Sequence, residues 1–339
     1  MENISELIKP TKIFKILSER EYGNNMPVSV EIQPTNICNY DCDYCSYSIR
    51  KSNRKFLKRE ACLQLCDDLI KMQVKTVYFS GGGDPTMYPY LAEMMHKLHK
   101  SGVKLALLTN GSNSKLLLEV AKYCEYILIH ISSHKPDIYE VLMGKKMNDI
   151  LNIAQRIQNT LKGNIVKVGA RIVVVEKNQP YLADTVKELL AKNFDYVQCT
   201  PAADYESISE KSNLNQMKQI ANDPVFKLPG VTFNLKNSTD YNAHLTCASI
   251  ENKLHATIDA LGGVYICPPY TAMQGDFCLG NINNNNFYEI WESENHKKVI
   301  DKMNRRYKDN KCKNCRFISY NPHIEDYKNA HKNPHSYFL

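Results

Sequence analysis

The chain has 339 residues, a net charge of +7 and an ordinary share of apolar residues, which suits one large domain with a smaller one attached. No apolar run approaches the ~20 residues that a membrane-crossing helix needs, and the N-terminal "MENISELIKPTKIF" lacks the form of a secretion signal. The positive charge is dispersed; its densest stretch, "IRKSNRKFLKR" (49–59), reads as a solvated loop and helix start rather than a nucleic-acid surface.

Strand-like and helix-like segments alternate from residue 28. The strands are expected at 28–33, 76–80, 104–109, 126–131, 166–175 and 196–200, all short and rich in Val, Ile, Leu and Tyr. Helices are expected near 58–73, 89–100, 113–123, 147–161 and 180–192, where apolar residues recur at helical spacing, as Ala61, Leu65, Leu69 and Met72 do. This alternation predicts an α/β fold with a parallel sheet covered by helices, and six units fit a partial (β/α)6 barrel. Residues 202–244 read as a connector. "KLHATIDALGGVYI" (253–266) predicts a hairpin turning at Leu261-Gly262-Gly263, and a helix is expected near 286–304. The expected division is an N-terminal extension (1–27), a barrel (28–201), the connector, a small α+β domain (245–318) and a polar tail (319–339).

Twelve cysteines are many for a chain that carries no export signal. A cytosolic location keeps thiols reduced, so clusters of cysteine there point to metal binding or catalysis. Three of them, Cys38, Cys42 and Cys45, lie in "QPTNICNYDCDYC" just after the first strand, at C-x3-C-x2-C spacing. Structural zinc takes four ligands, commonly in pairs. Three thiolates on one loop match three corners of an iron–sulfur cube and leave the fourth iron for a small chelating molecule.

With Tyr44 in the aromatic place of C-x3-C-x-aromatic-C, the motif resembles that of the radical S-adenosylmethionine (SAM) superfamily. The resemblance implies a [4Fe–4S] cluster whose open iron binds SAM. Reductive cleavage of SAM then yields a 5′-deoxyadenosyl radical that abstracts a hydrogen atom from substrate. It also implies a flavodoxin- or ferredoxin-type electron donor. "SGGGDP" (80–85) resembles the family's Gly-Gly-Glu-Pro segment, so Gly82, Gly83 and Asp84 are expected to hold the methionyl amino group; the shorter Asp84 throws more of that contact onto backbone carbonyls. Asn110 of "LLTNGS" (107–112), Ser132 after the fourth strand and Arg171 on the fifth map to positions that meet SAM in relatives. On its own chemistry Ser132 also fits a helix cap, and Arg171 a partner for a carboxylate.

A second set, Cys247, Cys267, Cys312 and Cys315, has the spacing C-x14-G-x4-C followed by C-x2-C. It resembles the auxiliary-cluster domains called SPASM and twitch. With no cysteine in 316–339, the one-cluster twitch form is expected, giving two [4Fe–4S] clusters in all; a zinc ribbon has the same ligand count. Cys62, Cys66 and Cys124 read as core packing. Cys278 and Cys199 are candidates to return a hydrogen atom to a substrate carbon, with Cys278 preferred. His130 and His134 are candidates for base or substrate contact. The first 27 residues are too short for the leader-peptide-binding domain of many peptide-modifying relatives, which favours a small substrate such as a sugar, aminocyclitol or nucleotide conjugate. The expected reaction is dehydrogenation or epimerisation. Maturation of a ribosomally made peptide, and a metal-stabilised binding protein without activity, remain the alternatives.

Overall fold

The computed structural model describes residues 10–19, 25–47, 53–161, 166–204, 209–210, 214–234, 253–273, 275–312 and 318–332, with single positions between 242 and 250. Six parallel strands follow one another in order: β1 Ser29–Ile32, β2 Thr76–Phe79, β3 Lys104–Thr109, β4 Cys124–His130, β5 Lys167–Val174 and β6 Tyr196–Pro201. Each sits beside its predecessor, as parallel strands joined by helical crossovers do. Alternate residues serve two faces. Val30, Ile32, Val77, Phe79, Leu105, Leu107, Ile127, Ile129, Val168, Ala170, Ile172 and Val174 are buried in the main apolar core. The opposite parity, with Glu31, Tyr78, His130, Arg171 and Gln198, forms the inner face. Gly169 is needed on that face, because a Cβ there would lie 2.2 Å from the Tyr196 ring.

Three features depart from the expected outline. A helix at Pro136–Met143 follows β4, with Pro at its first turn and Gly144 closing it at φ 66°. The connector contains a two-stranded ribbon (β7 Ala203–Asp204, β8 Ser209–Glu210), a helix Leu214–Ile220 and β9 Val231–Phe233, which extends the parallel sheet beyond β6. The expected polar tail contains a helix, Asn321–Lys332. It packs on the N-terminal helix Ile13–Glu19, where Ile13, Leu254 and Ile324 form a small second core.

The C-terminal hairpin is present as β10 His255–Ile258 and β11 Gly263–Tyr265, followed by β12 Gly280–Asn281. It does not stand apart from the barrel. β10 pairs in parallel with β1 over Ser29↔His255 to Ile32↔Ile258, so one sheet runs β12-β11-β10-β1-β2-β3-β4-β5-β6-β9. Asp259 shapes the turn by accepting from the Leu261 and Gly263 amides. The helices Phe287–Trp291 and Glu294–Lys308 then cover this end; buried Trp291 stacks on Phe287 and donates its indole N–H to the Asn25 carbonyl.

His296 is 1 % exposed beside Trp291 and bonds the Trp291 carbonyl through Nδ1. Burial pushes its pKa down to about 4, with a smaller contribution from Lys253 in the same direction. The folded state thus holds it neutral, whereas the unfolded imidazole titrates near ~6.5. Stability is present in full above that pH and is lost as pH falls from roughly 6.5 toward the folded value, because the unfolded chain takes the proton first. The thermal midpoint of the protein is expected to fall on acidification from about pH 7.5 to about pH 5, and His296→Asn to fall less steeply. Equal slopes in the two proteins would remove His296 from the account.

Candidate active site

The cluster loop leaves β1 and is held from two sides. The Asn36 amide donates to the Lys55 carbonyl and the Leu57 amide to the Pro34 carbonyl, so the segment after the cysteines folds back as a brace. The glycine-rich loop after β2 supports it from beneath: Gly83 N–H donates to the Thr35 carbonyl at 2.7 Å and Asp84 N–H to the Ile37 carbonyl at 3.0 Å. A Cβ at Gly83 would come within 2.1 Å of the Ile37 oxygen, so only glycine fits there. Gly82 is buried in the same turn.

The Asp84 side chain is 4 % exposed and points into protein. Its Oδ1 accepts from the Thr86 amide at 2.9 Å, the Thr86 hydroxyl at 2.5 Å and the Thr109 hydroxyl at 3.0 Å. Its Oδ2 accepts from the Thr109 hydroxyl at 2.9 Å and the Asn110 amide at 2.6 Å. Asp84 therefore ties the glycine-rich loop to the end of β3. Asn110 carries the tie onward, its side-chain amide lying 3.1 Å from Asn39 Oδ1 and 3.8 Å from Cys38 Sγ.

Cys38, Cys42 and Cys45 are all partly exposed. Cys38 lines a ≈330 Å³ cavity with Asn36, Asn39, Tyr40, Asp41 and Arg54. Tyr44 is buried; its hydroxyl bonds His130 Nε2 at 2.7 Å and Met143 Sδ at 3.0 Å. His130 is half-buried, its ring packed edge-on against Tyr44 among protein atoms. That burial, with the Arg171 charge second, pushes its pKa down to about 3, so it faces Tyr44 as neutral imidazole. His134 is engaged elsewhere, its Nδ1 2.9 Å from the Thr185 hydroxyl.

Ser132 and Arg171 keep polar atoms in reserve. Ser132 is 1 % exposed, and neither its Oγ nor Arg171 Nε has a hydrogen-bond partner; Asn36 Oδ1 is in the same condition. Ser133, not Ser132, accepts the Lys135 amide ahead of the next helix, and no carboxylate pairs with Arg171 among the described residues. Buried polar atoms are seldom left unpaired; Asn36 and Ser132 follow the ends of β1 and β4, and Arg171 lies within β5 on the inner face, paired with His130 at the end of β4. The residues present therefore fit a polar cofactor at this end of the sheet.

The second cysteine set also comes together. Cys247, Cys267 and Cys312 line one buried, mainly apolar cavity with Ser249, Tyr270, Met303 and Tyr307. Ser249 Oγ is a buried donor without a partner, and Arg306 Nε beside the cavity is another. Burial first, then the Cys312 and Cys267 thiols, push the Tyr270 pKa up, so its hydroxyl keeps its proton. These features fit a group rich in acceptor sulfur. Cys315 lies outside the described residues. No three Cys, His, Asp or Glu side chains among the described residues stand at metal-holding distance.

The comparisons concern the two regions that hold these cysteines. Residues 32–197 match the radical SAM superfamily, and residues 247–316 match the iron–sulfur cluster-binding domain named SPASM. This chain belongs to the radical SAM superfamily. Its radical SAM domain implies a [4Fe–4S] cluster and SAM, and its SPASM domain implies auxiliary cluster binding. A tungsten-containing aldehyde ferredoxin oxidoreductase cofactor-modifying protein of Pyrococcus furiosus is 23% identical over 295 residues, 78% of this chain and 80% of that protein. The mycofactocin maturase MftC of Mycolicibacterium smegmatis is 23% identical over 320 residues, 89% of this chain and 78% of that protein. The crystal structure of Streptococcus suis SuiB bound to precursor peptide SuiA superposes with a TM-score of 0.66 at 13% identity, covering 83% of this chain and 67% of that one. No helix among the described residues is long and apolar enough to cross a membrane.

The remaining thiols lie away from the cluster loop. Cys199 pairs with Ile172 and is 0 % exposed on the helix-packed face, so it does not look into the barrel; burial pushes its pKa up to about 12. Cys278 precedes β12, three strands from β1, and its Sγ donates to the Gly280 carbonyl at 3.2 Å. Cys62 and Cys66 are core residues on the helix Arg59–Lys71, and Cys124 is buried at the start of β4. The residue that spacing alone does not reveal is Glu31, whose inward carboxylate accepts from the Ser80 and Tyr78 hydroxyls, each at 2.5 Å. A charged residue in the middle of an otherwise apolar strand was its only sequence signal.

Removing the Asp84 carboxylate strands the Thr86 and Asn110 amides and two hydroxyls in the interior. Each buried unsatisfied donor costs about 1–3 kcal/mol. Asp84→Ala is therefore expected to lower the stability of the cluster-free protein by at least about 2 kcal/mol in denaturant unfolding, before SAM enters the account. Unchanged stability would mean that Asp84 is not the tie described above.

Proposed function

We propose that this chain is a radical SAM oxidoreductase that dehydrogenates a small polar substrate, of the kind represented by a sugar, an aminocyclitol or a nucleotide conjugate. The observation that carries this reading is the polar interior of the barrel. Glu31, 2 % exposed, bonds Gln33 Nε2 at 3.0 Å as well as Ser80 and Tyr78, and Gln33 in turn bonds the Tyr47 hydroxyl at 3.1 Å. His255 Nε2 lies 3.9 Å from the same carboxylate, and its ring stacks on Tyr78. Such a set of alternating donors and acceptors suits hydroxyl and amino groups better than apolar surface.

In this reading Cys38, Cys42 and Cys45 hold the SAM-binding cluster, and Cys247, Cys267, Cys312 and Cys315 hold one auxiliary cluster. When bound, these groups supply a hydrogen-abstracting radical and an acceptor for one electron. The chain's own residues do the positioning. Asp84 and Asn110 shape the loops under Cys38, with Gly82 and Gly83 offering backbone carbonyls to the methionyl amino group. Ser132 and Arg171 present a hydroxyl and a guanidinium to SAM, while Tyr44 and His130 pack the loop between Cys42 and Cys45. Loss of a hydrogen atom from a carbon bearing a hydroxyl, followed by loss of one proton and one electron, gives a carbonyl. Inversion of that carbon instead needs a hydrogen atom returned to it. Cys199 and Cys278, the thiols nominated for that step, both lie away from the inner face, which favours oxidation. A reducing cytosol suits the eleven free cysteines of the described residues, and an external one-electron donor completes the requirement.

Modification of a ribosomally made peptide is the second reading, favoured by the extent of the likeness to a mycofactocin maturase. The Pyrococcus relative, named for modifying a cofactor, points instead toward small molecules. Anaerobically reconstituted enzyme offered candidate small substrates and candidate peptides should separate the two. The expected outcome is that a small hydroxylated compound accelerates 5′-deoxyadenosine formation and returns lighter by a pair of hydrogen atoms, with little change in Cys278→Ala. Turnover of peptides alone would replace this reading with the second. Solvent deuterium at an inverted carbon, lost in Cys278→Ala, would replace oxidation with epimerisation.

A further inference from the structure

Tyr270 and Arg306 stand beside the SPASM cysteines in an arrangement that ligand spacing does not require. Tyr270 is 2 % exposed, and its hydroxyl lies 3.8 Å from Cys312 Sγ. Arg306 comes from the helix Glu294–Lys308. Its guanidinium sits 5.8 Å from the Tyr270 ring and 5.5 Å from the Phe277 ring. Arg306 Nε is buried without a hydrogen-bond partner, and no carboxylate pairs with the residue among the described positions. The guanidinium is held over two aromatic faces and hydrogen-bonds Tyr270, and its Nε keeps a donor in reserve. A cation with a spare donor so placed suits an anion. A cluster ligated by four thiolates is an anion, and the Tyr270 hydroxyl already points at one of its ligating sulfurs.

We infer that Tyr270 and Arg306 raise the reduction potential of the auxiliary cluster, preparing it to accept an electron. Uptake of one electron makes the cluster more negative by one charge. A hydroxyl donating to a ligating sulfur and a nearby cation both stabilise the more negative state more than the less negative one. Hydrogen bonds to sulfur and local charge are among the levers by which a protein sets such potentials. In a cavity otherwise lined mainly by apolar groups, the effect is little screened. The two residues are positioning residues, acting on the cluster through Cys312 and through space. The inference rests on the reading of Cys247, Cys267, Cys312 and Cys315 as cluster ligands, and it gives that cluster the property an oxidative reaction needs.

The test uses the full chain carrying Cys38→Ala, Cys42→Ala and Cys45→Ala, reconstituted anaerobically. Only the auxiliary cluster remains in this background, at about four irons per chain. Redox titration followed by electron paramagnetic resonance gives its midpoint potential, with and without Tyr270→Phe and Arg306→Gln. The expected result is a more negative midpoint in each variant with iron content retained. A midpoint unchanged in both would overturn the inference. Should Tyr270→Phe fail to hold iron, Arg306→Gln decides alone: a lowered midpoint supports the inference and an unchanged one overturns it. A parent without iron would overturn the ligand reading itself, and the inference with it. A lowered midpoint in an enzyme whose product is not oxidised would leave the inference standing and overturn the proposed reaction.

Discussion

The Asp84 carboxylate is the point at which three loops at the open end of the barrel are joined. Its own amide reaches the Ile37 carbonyl in the cluster loop, its side chain reaches Thr109 and Asn110 at the end of β3, and its chain leads through Thr86 into the next helix. A buried carboxylate is unfavourable alone and becomes favourable when every lone pair meets a donor, as it does here. Glutamate at this position would push the carboxylate one methylene further, beyond the Thr86 amide that now closes a tight turn on it. The carboxylate is spent on protein, and what it holds in place is the glycine-rich turn against the cluster loop.

Around that tie, the arrangement of unsatisfied atoms distinguishes scaffold from site. Elsewhere the interior pairs its polar groups closely: His134 with Thr185, Asn178 with the Ser132 carbonyl and the Val175 amide, Asp195 with the Val168 amide. Of the six buried side-chain atoms left without a partner among the described residues, Asn36, Ser132 and Arg171 lie at the SAM end, and Ser249 and Arg306 lie at the auxiliary cavity. His296, the sixth, is held by its other nitrogen against Trp291. Five of the six reserved atoms thus gather at two places, and buried polar atoms left without a partner are uncommon enough that such grouping points to polar ligands there.

The chemistry was more legible in the sequence than the architecture around it. Cysteine spacing is local, and three thiols within eight residues carry their meaning without any knowledge of the fold. Strand positions were legible because β-branched runs between helical patterns have a distinctive period, and β3 lies where that period places it. The helix Pro136–Met143 was hidden because its eight residues are too few for periodicity to speak, although Pro136 and Gly144 mark its ends. The pairing of β10 with β1 joins residues more than two hundred positions apart, which no local signal can reveal. Asp84 looked like a ligand because its motif places it beside one. Only the positions of Thr86, Thr109 and Asn110 in space show where its oxygens go. The orientation of Cys199 was readable in principle, since strand parity puts it with Ile172 rather than with Arg171.

The parallel pairing of β10 with β1 also fixes how the two cysteine sets relate. Cys38, Cys42 and Cys45 follow the C-terminal end of β1. Cys247 precedes the N-terminal end of β10, and β11 runs back antiparallel to bring Cys267 to that same end. The sets therefore lie at opposite ends of one strand pair, separated by at least its four residues, roughly 13 Å at ~3.3 Å per residue. Glu31, Tyr78, His255 and Thr257 occupy the stretch between them. A polar interior there has a physical cost that apolar packing would avoid, so its presence at the midpoint between two cluster sites calls for a role. Under the oxidation proposed above, that lining would hold a polar substrate between the SAM end and an electron acceptor, a role that uses both the spacing and the chemistry of the lining.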